Sequence, residues 1–169
     1  EMHILVVGGG MGGTILANNL ARRLSGELEQ GSSKITMLSA SDKHMYQPGL
    51  LYVAVGKMST SELYRDQKSL LEPSIDFHVD PVEKFDLDNN SVTTKSGKKI
   101  SYDILCIATG SRGHAEGIPG LAENSCQFYT EADAVAMYKK LSKFEGGKVV
   151  VATGVPHKCP MSPLEITFF

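Results

Sequence analysis

Three glycines near the start of the chain have the spacing of a phosphate-binding turn. Gly8, Gly10 and Gly13 form a GxGxxG pattern within the run HILVVGGGMGG. In such a turn the first glycine permits a tight reversal, the second lets a diphosphate approach the backbone, and the third lets helix and strand pack closely. The helix that follows adds unpaired N–H groups and a partial positive charge. The motif therefore predicts a site for the diphosphate of a dinucleotide.

The elements on either side of these glycines are the ones that must position them. Residues 4–7 form a short apolar run, which is typical of a parallel strand buried on both faces. After the turn the pattern becomes helical. The predicted apolar face of this helix consists of Ile15, Leu16, Leu20 and Leu24. A GxGxxG motif between a strand and a helix indicates dinucleotide binding more strongly than the glycines alone.

The second predicted strand, residues 35–38, ends where dinucleotide folds usually carry an acid for the ribose hydroxyls. Here that position is Ser39, and Asp42 follows shortly after it. A serine hydroxyl can bind a ribose, though more weakly than a carboxylate, and Asp42 could substitute for it. This departure weakens the case for NAD and is compatible with FAD.

Alternating strands and helices define the predicted fold class. Further strands are expected at residues 75–79, 82–85, 91–94, 98–101, 102–108 and 148–152. The three between residues 82 and 101 are separated by turns typical of an antiparallel meander. The order predicts an α/β fold: a Rossmann-like domain with a parallel sheet and an inserted antiparallel β-meander, plus the beginning of a second nucleotide-binding-type domain. We place the first domain at residues 1–111, and the connecting helix with the start of the second at residues 112–169.

Capping residues predict where the later helices begin. The expected helices run from Ser59 to just before Pro73, from Thr130 to about Phe144, and from Ser162 onward. Glu62 and Glu165 would complete capping boxes in the first and last of these. Residues 43–58 are expected to form a loop. Because the last helix starts just before the sequence ends, we expect the chain to be a fragment.

Composition and charge are those of an ordinary soluble globular protein. The 169 residues are 41% hydrophobic and 21% charged, with a formal net charge of -2. This balance gives no electrostatic reason to expect nucleic acid or an anionic membrane as partner. The apolar runs are too short to span a bilayer, and three widely spaced cysteines do not form a disulfide framework. We expect a cytoplasmic location and, since the histidines lack ligand spacing, no metal site.

Several stretches resemble one family. They are GGGMGG, YDILCIATGSR at residues 102–112, VATGVPHKCPMSPLE at residues 151–165, and the loop at residues 39–56. In these stretches the chain resembles the sulfide:quinone oxidoreductases, flavoproteins with two dinucleotide-binding domains. The first two are shared with relatives of glutathione reductase and the NADH dehydrogenases. The segment KCPMSPLE is the specific one, and the resemblance covers essentially the whole chain.

The resemblance implies that the cofactor is FAD. Gly8, Gly10 and Gly13 would then hold its diphosphate, and Ser39 would lie near the adenosine ribose. The other residues implied in FAD binding are Val82 at the adenine, Gln47 and Pro48 near the flavin ring, and Thr109 and Gly110 at the closure of the pocket.

A redox cysteine is the second feature that the resemblance implies. Cys159 matches the family's cysteine that handles sulfur beside the flavin, and the thiolate is the reactive form. His157 and Lys158, directly before it, are expected to favour that form, and the alternative for His157 is a solvated loop histidine. Cys126 is a looser match to a family cysteine, and the alternative is that it only packs. Glu165 is either an acid/base near sulfide or quinone, or only a capping-box acid.

The implied reaction is oxidation of sulfide with quinone as the electron acceptor. In the family, HS⁻ attacks a disulfide or polysulfide bridge, the released thiolate transfers electrons to the flavin, and these pass to quinone. A second catalytic cysteine and membrane-attaching helices lie, in the family, beyond the position of Phe169. Membrane association is therefore expected only through that missing region. The 169-residue piece alone is expected to be inactive, and a homo-oligomer is left open.

Three alternatives compete with this interpretation. A type II NADH dehydrogenase would need a second GxGxxG, and residues 153–157 (TGVPH) lack its later glycines. A flavocytochrome sulfide dehydrogenase differs by a haem partner that this sequence does not reveal. A nucleotide-binding module without catalysis of its own belongs to a different class.

Overall fold

The computed structural model of the chain describes residues 1–154 and 159–169. Contacts among these residues define two compact units, residues 1–45 with 64–111, and residues 46–63 with 112–169. The domain boundary expected after residue 111 stays a prediction. Within the described residues, no helix combines the length and the apolar character needed to cross a membrane.

The first unit contains a parallel sheet and an antiparallel meander. In chain order its elements are β1 (Met2–Val7), α1 (Met11–Arg23), α2 (Ser25–Glu29), β2 (Ser33–Ser39), β3 (Lys43–Met45), β4 (Tyr64–Asp66), β5 (Ile75–Val79), β6 (Val82–Asp86), β7 (Ser91–Thr94), β8 (Lys99–Ser101) and β9 (Ile104–Ile107). The parallel sheet has the order β5-β2-β1-β9, in which Val7 pairs with Leu38 on one side and Ile107 on the other. β6, β7 and β8 form the meander. Both features confirm the predicted fold class.

The apolar core lies on both faces of the parallel sheet, which explains the uninterrupted apolar run of β1. Side chains alternate between faces along a strand, so Ile4 and Val6 join one cluster while Leu5 and Val7 join the other. The first cluster also contains Ala17, Ala21, Ile35, Met37 and Ile75. The second also contains Leu38, Val92, Ile100 and Tyr102. β1 is therefore packed between α1 and the meander.

α1 packs through small residues, so its predicted apolar face is wrong in the first turns. The buried residues of α1 are Gly13, Thr14, Ala17 and Ala21. Ile15 is 55% exposed and Leu16 is 37% exposed, whereas the later leucines of the predicted face do pack against the core. A Cβ on Gly13 would overlap the carbonyl oxygen of Gly8. Because the helix approaches the end of β1 this closely, its larger side chains must point away.

The stretch before β5 differs from the predicted loop and long helix. β3 and β4 pair in antiparallel fashion, with Lys43 opposite Asp66. This pairing falls inside the segments expected as loop and helix, so only short 3₁₀ turns of the helix form. The predicted capping contact is nevertheless present, because the N–H of Ser59 donates to Glu62 Oε2 at 2.8 Å. Strand pairing has thus overridden a local helix signal.

The second unit is helical in its described residues. Its helices are α3 (Gly49–Ala54), α4 (Leu121–Asn124), α5 (Glu131–Leu141) and α6 (Ser162–Phe168). α3 replaces part of the predicted loop, and it forms because Leu50, Leu51 and Val53 bury their side chains. α5 begins as predicted, with the N–H of Asp133 donating to Thr130 Oγ1 at 3.2 Å.

The carboxyl-terminal predictions need two corrections. Residues 148–152 do not form the predicted strand, and Val150 is 77% exposed. A strand is held by pairing with a neighbour, and the described residues supply none here. In α6 the N-cap is Met161, which is itself helical, and none of the described side chains makes a cap hydrogen bond. Ser162 therefore lies inside the helix, and the predicted capping box with Glu165 does not form.

β9 forms within the predicted strand at residues 102–108, but its apolar side chains are less buried than an uninterrupted apolar run indicates. It is an edge strand of the described parallel sheet, next to β1 only. Ile104 is 44% exposed and Ile107 is 59% exposed for that reason. The apolar run in the sequence indicated the strand correctly but not its neighbours.

We predict that Gly13→Ala lowers the free energy of unfolding by about 1–3 kcal/mol, as overpacking typically does. The added Cβ would overlap the Gly8 carbonyl. Gly12 is the matched control, because it lies in the same helical turn and a Cβ added to it would contact none of the described residues. Gly12→Ala should raise the free energy of unfolding by up to about 1 kcal/mol. Urea denaturation followed by circular dichroism measures both, and equal effects would contradict the close contact.

Candidate functional site

The glycine turn lies at the carboxyl end of β1, between the ends of its two neighbours. The N–H of Gly8 donates to the carbonyl of Leu38 at 2.8 Å, and the N–H of Ala108 donates to the carbonyl of Val7 at 2.7 Å. Because β2 and β9 lie on opposite sides of β1, strand order reverses here. Open α/β sheets bind ligands at such a point. Gly8 has φ +118°, and a Cβ added to it would overlap the carbonyl of Ala108. The backbone of the turn therefore packs directly against the end of β9.

The glycines of the turn differ in what surrounds them. Gly8 and Gly13 are needed for backbone packing, and a Cβ on Gly9 would lie 2.9 Å from the Cβ of Ser39. Gly10 is different, because it is exposed and a Cβ on it would meet no atom of the described residues within 4 Å. Open backbone at the second glycine is what a diphosphate needs for close approach. The turn therefore fits a dinucleotide.

α1 begins directly at this open backbone. Gly10 is its N-cap and Met11 its first residue, and among the described residues no side chain caps the helix start. The first N–H groups of a helix have no partner within the helix, and the helix dipole adds partial positive charge at that end. These groups can donate hydrogen bonds to phosphate oxygens.

A polar network lies behind the turn. Gln67 is fully buried, and its Nε2 lies 2.9 Å from Thr14 Oγ1. Its Oε1 lies 3.1 Å from His44 Nδ1. The carbonyl oxygen of Gly9 is 3.1 Å from His44 Nδ1 and 3.3 Å from Thr14 Oγ1. Sequence reasoning missed these three side chains, because only the β3–β4 pairing brings His44 and Gln67 to the turn.

Ser39 lies at the end of β2, as predicted. It is 7% exposed, and its Oγ accepts the N–H of Ser41 at 3.2 Å. Asp42, considered as a substitute, has an exposed carboxylate 3.8 Å from Lys43 Nζ. The ribose contact of either residue stays a prediction.

The other residues predicted around the nucleotide lie at the same edge of the sheet. Thr109 and Gly110 follow the carboxyl end of β9 and are exposed. Val82 begins β6, shortly after the carboxyl end of β5. Since carboxyl ends of parallel strands share one edge, the fold brings these residues to the side that carries Gly10.

A cavity of about 280 Å³ opens at the same ends of β2 and β5. Its lining includes Leu38, His78 and Asp80. Hydrogen bonding from Ser96, whose Oγ donates to Asp80 at 2.5 Å, lowers the pKa of the Asp80 carboxyl. The cavity can accept a polar group beside the nucleotide turn.

Both residues predicted near the flavin ring, Gln47 and Pro48, belong to the second unit. Pro48 is the N-cap of α3, and the carbonyl of Gln47 accepts the N–H of Leu50 at 3.1 Å. A cavity of about 440 Å³ lies between α3 and α5, and none of the predicted site residues line it. The place of Gln47 and Pro48 at a flavin ring stays a prediction.

The cysteines lie in contrasting environments. Cys106 is half-buried on β9, where burial raises the pKa of its thiol, which fits a packing role. Cys126 and Cys159 are free and exposed in the second unit, and Glu165 is exposed in the first turn of α6. Residues 155–158, including the predicted helpers His157 and Lys158, lie outside the described residues.

Comparison with known proteins places this arrangement in a family. Residues 2–155 match the family model described as pyridine nucleotide-disulphide oxidoreductase. The chain is 30% identical over 172 residues to mitochondrial sulfide:quinone oxidoreductase of Mus musculus, covering 98% of this chain and 37% of that protein. It is 37% identical over 152 residues to sulfide-quinone reductase of Aquifex aeolicus, covering 88% of this chain and 34% of that protein.

A solved structure agrees with these matches. The X-ray structure of the Aquifex aeolicus sulfide:quinone oxidoreductase matches with a TM-score of 0.70 and 33% identity, covering 84% of this chain and 32% of that chain. The chain thus spans about a third of the length of these relatives. The resemblance stated from the sequence is confirmed, as is FAD as the cofactor of this class. The chain belongs to the pyridine nucleotide-disulphide oxidoreductase family of FAD-binding flavoproteins, and sulfide:quinone oxidoreductases are among its relatives.

Proposed function

We propose that this chain is the FAD-binding part of an enzyme that oxidises sulfide and passes the electrons to a quinone. The observation that carries the proposal is the similarity to the Mus musculus sulfide:quinone oxidoreductase, which at 98% coverage extends through the region of Cys159. The chain spans 37% of that protein, so the activity and both substrates belong to the whole enzyme. A cytoplasmic location, with any membrane contact made by other regions, is part of the same proposal.

The first unit holds the cofactor in this proposal. N–H groups at the start of α1 donate to the phosphate oxygens, and the open backbone of Gly10 lets them approach. Ser39, Val82, Thr109 and Gly110 surround the rest of the nucleotide. Bound FAD supplies the two-electron acceptor that sulfide oxidation requires.

Cys159 carries the sulfur chemistry. HS⁻ forms a new S–S bond with a bridge that includes this residue, and the bond that breaks releases a thiolate. Each HS⁻ thereby gives up two electrons and one proton, and the released thiolate would pass the two electrons through the bound flavin to a quinone. The quinone takes up these two electrons together with two protons, of which the second comes from water. Cys126 is the alternative carrier of the bridge, and Glu165 is the candidate for moving the proton.

Cys159→Ser should abolish sulfide-dependent bleaching of the flavin absorbance while leaving FAD bound, because a serine hydroxyl cannot form the S–S bond. Stopped-flow absorbance on protein from the complete natural reading frame measures the bleaching, and the spectrum before mixing measures bound FAD. Cys126→Ser tests the alternative carrier in the same way.

Cys106→Ala is the matched control for loss of a thiol, because Cys106 packs against the core of the first unit. This variant should keep the normal rate of bleaching. Normal bleaching in Cys159→Ser would exclude the proposed role of that residue. Bleaching of the unmodified protein by NADH, but not by sulfide, would favour a type II NADH dehydrogenase.

A second prediction concerns the cofactor itself. Gly10→Val should lower the flavin-to-protein ratio by at least about tenfold, the equivalent of ~1.4 kcal/mol, because its side chain fills the diphosphate's place. The fold should persist, since a Cβ at Gly10 would meet no atom within 4 Å in the part of the chain that the structure describes.

Gly26→Val is the matched control, because this exposed glycine of α2 also has an open Cβ direction. The absorbance ratio at the flavin and protein bands gives the flavin content, and circular dichroism checks the fold. Full flavin content in Gly10→Val would show that no diphosphate lies against that backbone.

A further inference from the structure

We propose that Thr14, His44 and Gln67 are positioning residues of the FAD diphosphate site, because together they fix the orientation of the Gly9–Gly10 peptide. The proposal concerns cofactor binding, which is a property of the family, and it does not depend on whether sulfide is the substrate. None of the three side chains belongs to the GxGxxG motif. They reach the turn from α1, from β3 and from just after β4.

The donor and acceptor roles in this network can be assigned by starting from the group that can only accept a hydrogen bond. The carbonyl oxygen of Gly9 can only accept, so His44 Nδ1, 3.1 Å away, must carry a hydrogen. The N–H at His44 Nδ1 also faces the side-chain amide of Gln67 at 3.1 Å. Because this N–H is a donor, the amide atom that faces it must be the oxygen, Oε1. The amide NH₂ of Gln67 then donates to Thr14 Oγ1 at 2.9 Å. The Thr14 hydroxyl in turn donates to Gly9 O at 3.3 Å.

This assignment leaves every member of the network with a consistent role. The backbone also ties Gln67 in place, since its N–H donates to the carbonyl of Asp42 at 2.8 Å. Gln67 is fully buried and Thr14 is 7% exposed. Buried polar groups that are satisfied in this way hold their geometry rigidly, because any rearrangement would leave one of them unpaired.

The network acts on the phosphate site through one peptide plane. In a trans peptide the C=O and the following N–H point in opposite directions. The Gly9 carbonyl points to His44 and Thr14, so the N–H of Gly10 points away from them. The network thus aims the N–H of the exposed Gly10 away from the buried side of the turn, as a donor to the diphosphate requires.

The need for such an anchor arises from the sequence of the turn. Three consecutive glycines, residues 8–10, have the greatest conformational freedom of any tripeptide. Without an anchor, the Gly9–Gly10 peptide could rotate and turn a carbonyl toward the phosphates. Holding it before FAD arrives removes an ordering cost from binding.

The test measures the rate at which FAD dissociates from the holoenzyme. The rise in flavin fluorescence on release is used to monitor it. Thr14→Val removes the hydroxyl with little change in shape, and His44→Leu removes the N–H donor. Each should raise the FAD dissociation rate by about tenfold, the typical effect of losing one buried hydrogen bond. Thr14→Ser and His44→Asn keep a hydroxyl and an N–H near the original positions, and they should restore slow release.

The matched control removes a similar hydrogen bond from the same sheet, at a residue in the middle of β2. His3 Nε2 lies 2.8 Å from Thr36 Oγ1, near the amino end of β1 and away from the turn. Thr36→Val should lower the melting temperature but leave the FAD dissociation rate within about twofold, because it removes a comparable hydrogen bond without touching the turn.

Two results would overturn the proposal. One is unchanged FAD release in both Thr14→Val and His44→Leu, and the other is an equal acceleration in Thr36→Val. Failure of Thr14→Ser and His44→Asn to restore slow release would likewise assign the three residues a merely structural role. If one variant does not fold, the pair at the other position still decides the question.

Discussion

Close contact between the backbones of β1 and α1 is the constraint on which the first unit depends. Gly13 lies against the carbonyl of Gly8 with no room for a Cβ, so helix and strand meet at the turn itself. This contact makes α1 pack through small side chains, and it places the helix start beside the ends of β2 and β9. Gly10 is left as the open stretch of backbone. Fold and ligand site thus arise from one packing requirement.

The parallel sheet and the meander could be predicted because each of their strands carries a local signal. Apolar runs marked the parallel strands, and polar turns separated the meander strands. The contact face of α1 could not be predicted in this way. Hydrophobic periodicity predicted that Ile15 and Leu16 lie on the buried face. Periodicity carries no information on how closely the backbones of α1 and β1 approach each other. The pairing of β3 with β4 was hidden for a related reason, since it joins residues whose local pattern indicated a loop and a helix.

The part of the candidate site that could be predicted is the glycine turn, because steric contacts determine the spacing of its glycines. The glycine motif identified the turn because the close contacts of Gly8 and Gly13 exclude any other residue. His44 and Gln67 carry no such signal, and Gln67 stands 53 positions from its partner Thr14. The roles of Cys159 and Glu165 depend on where a flavin ring lies, which no local pattern encodes. For these two residues the family resemblance was the source of the prediction.

Gly9 and Ser39 share one small volume at the edge of the sheet, since a Cβ on the glycine would lie 2.9 Å from the Cβ of the serine. A longer side chain at position 39, such as the acid found in many dinucleotide folds, would have to pass this glycine to reach solvent. Any side chain at position 9 would close that route. Among homologous sequences glycine should therefore be retained at the first position wherever the second carries a side chain.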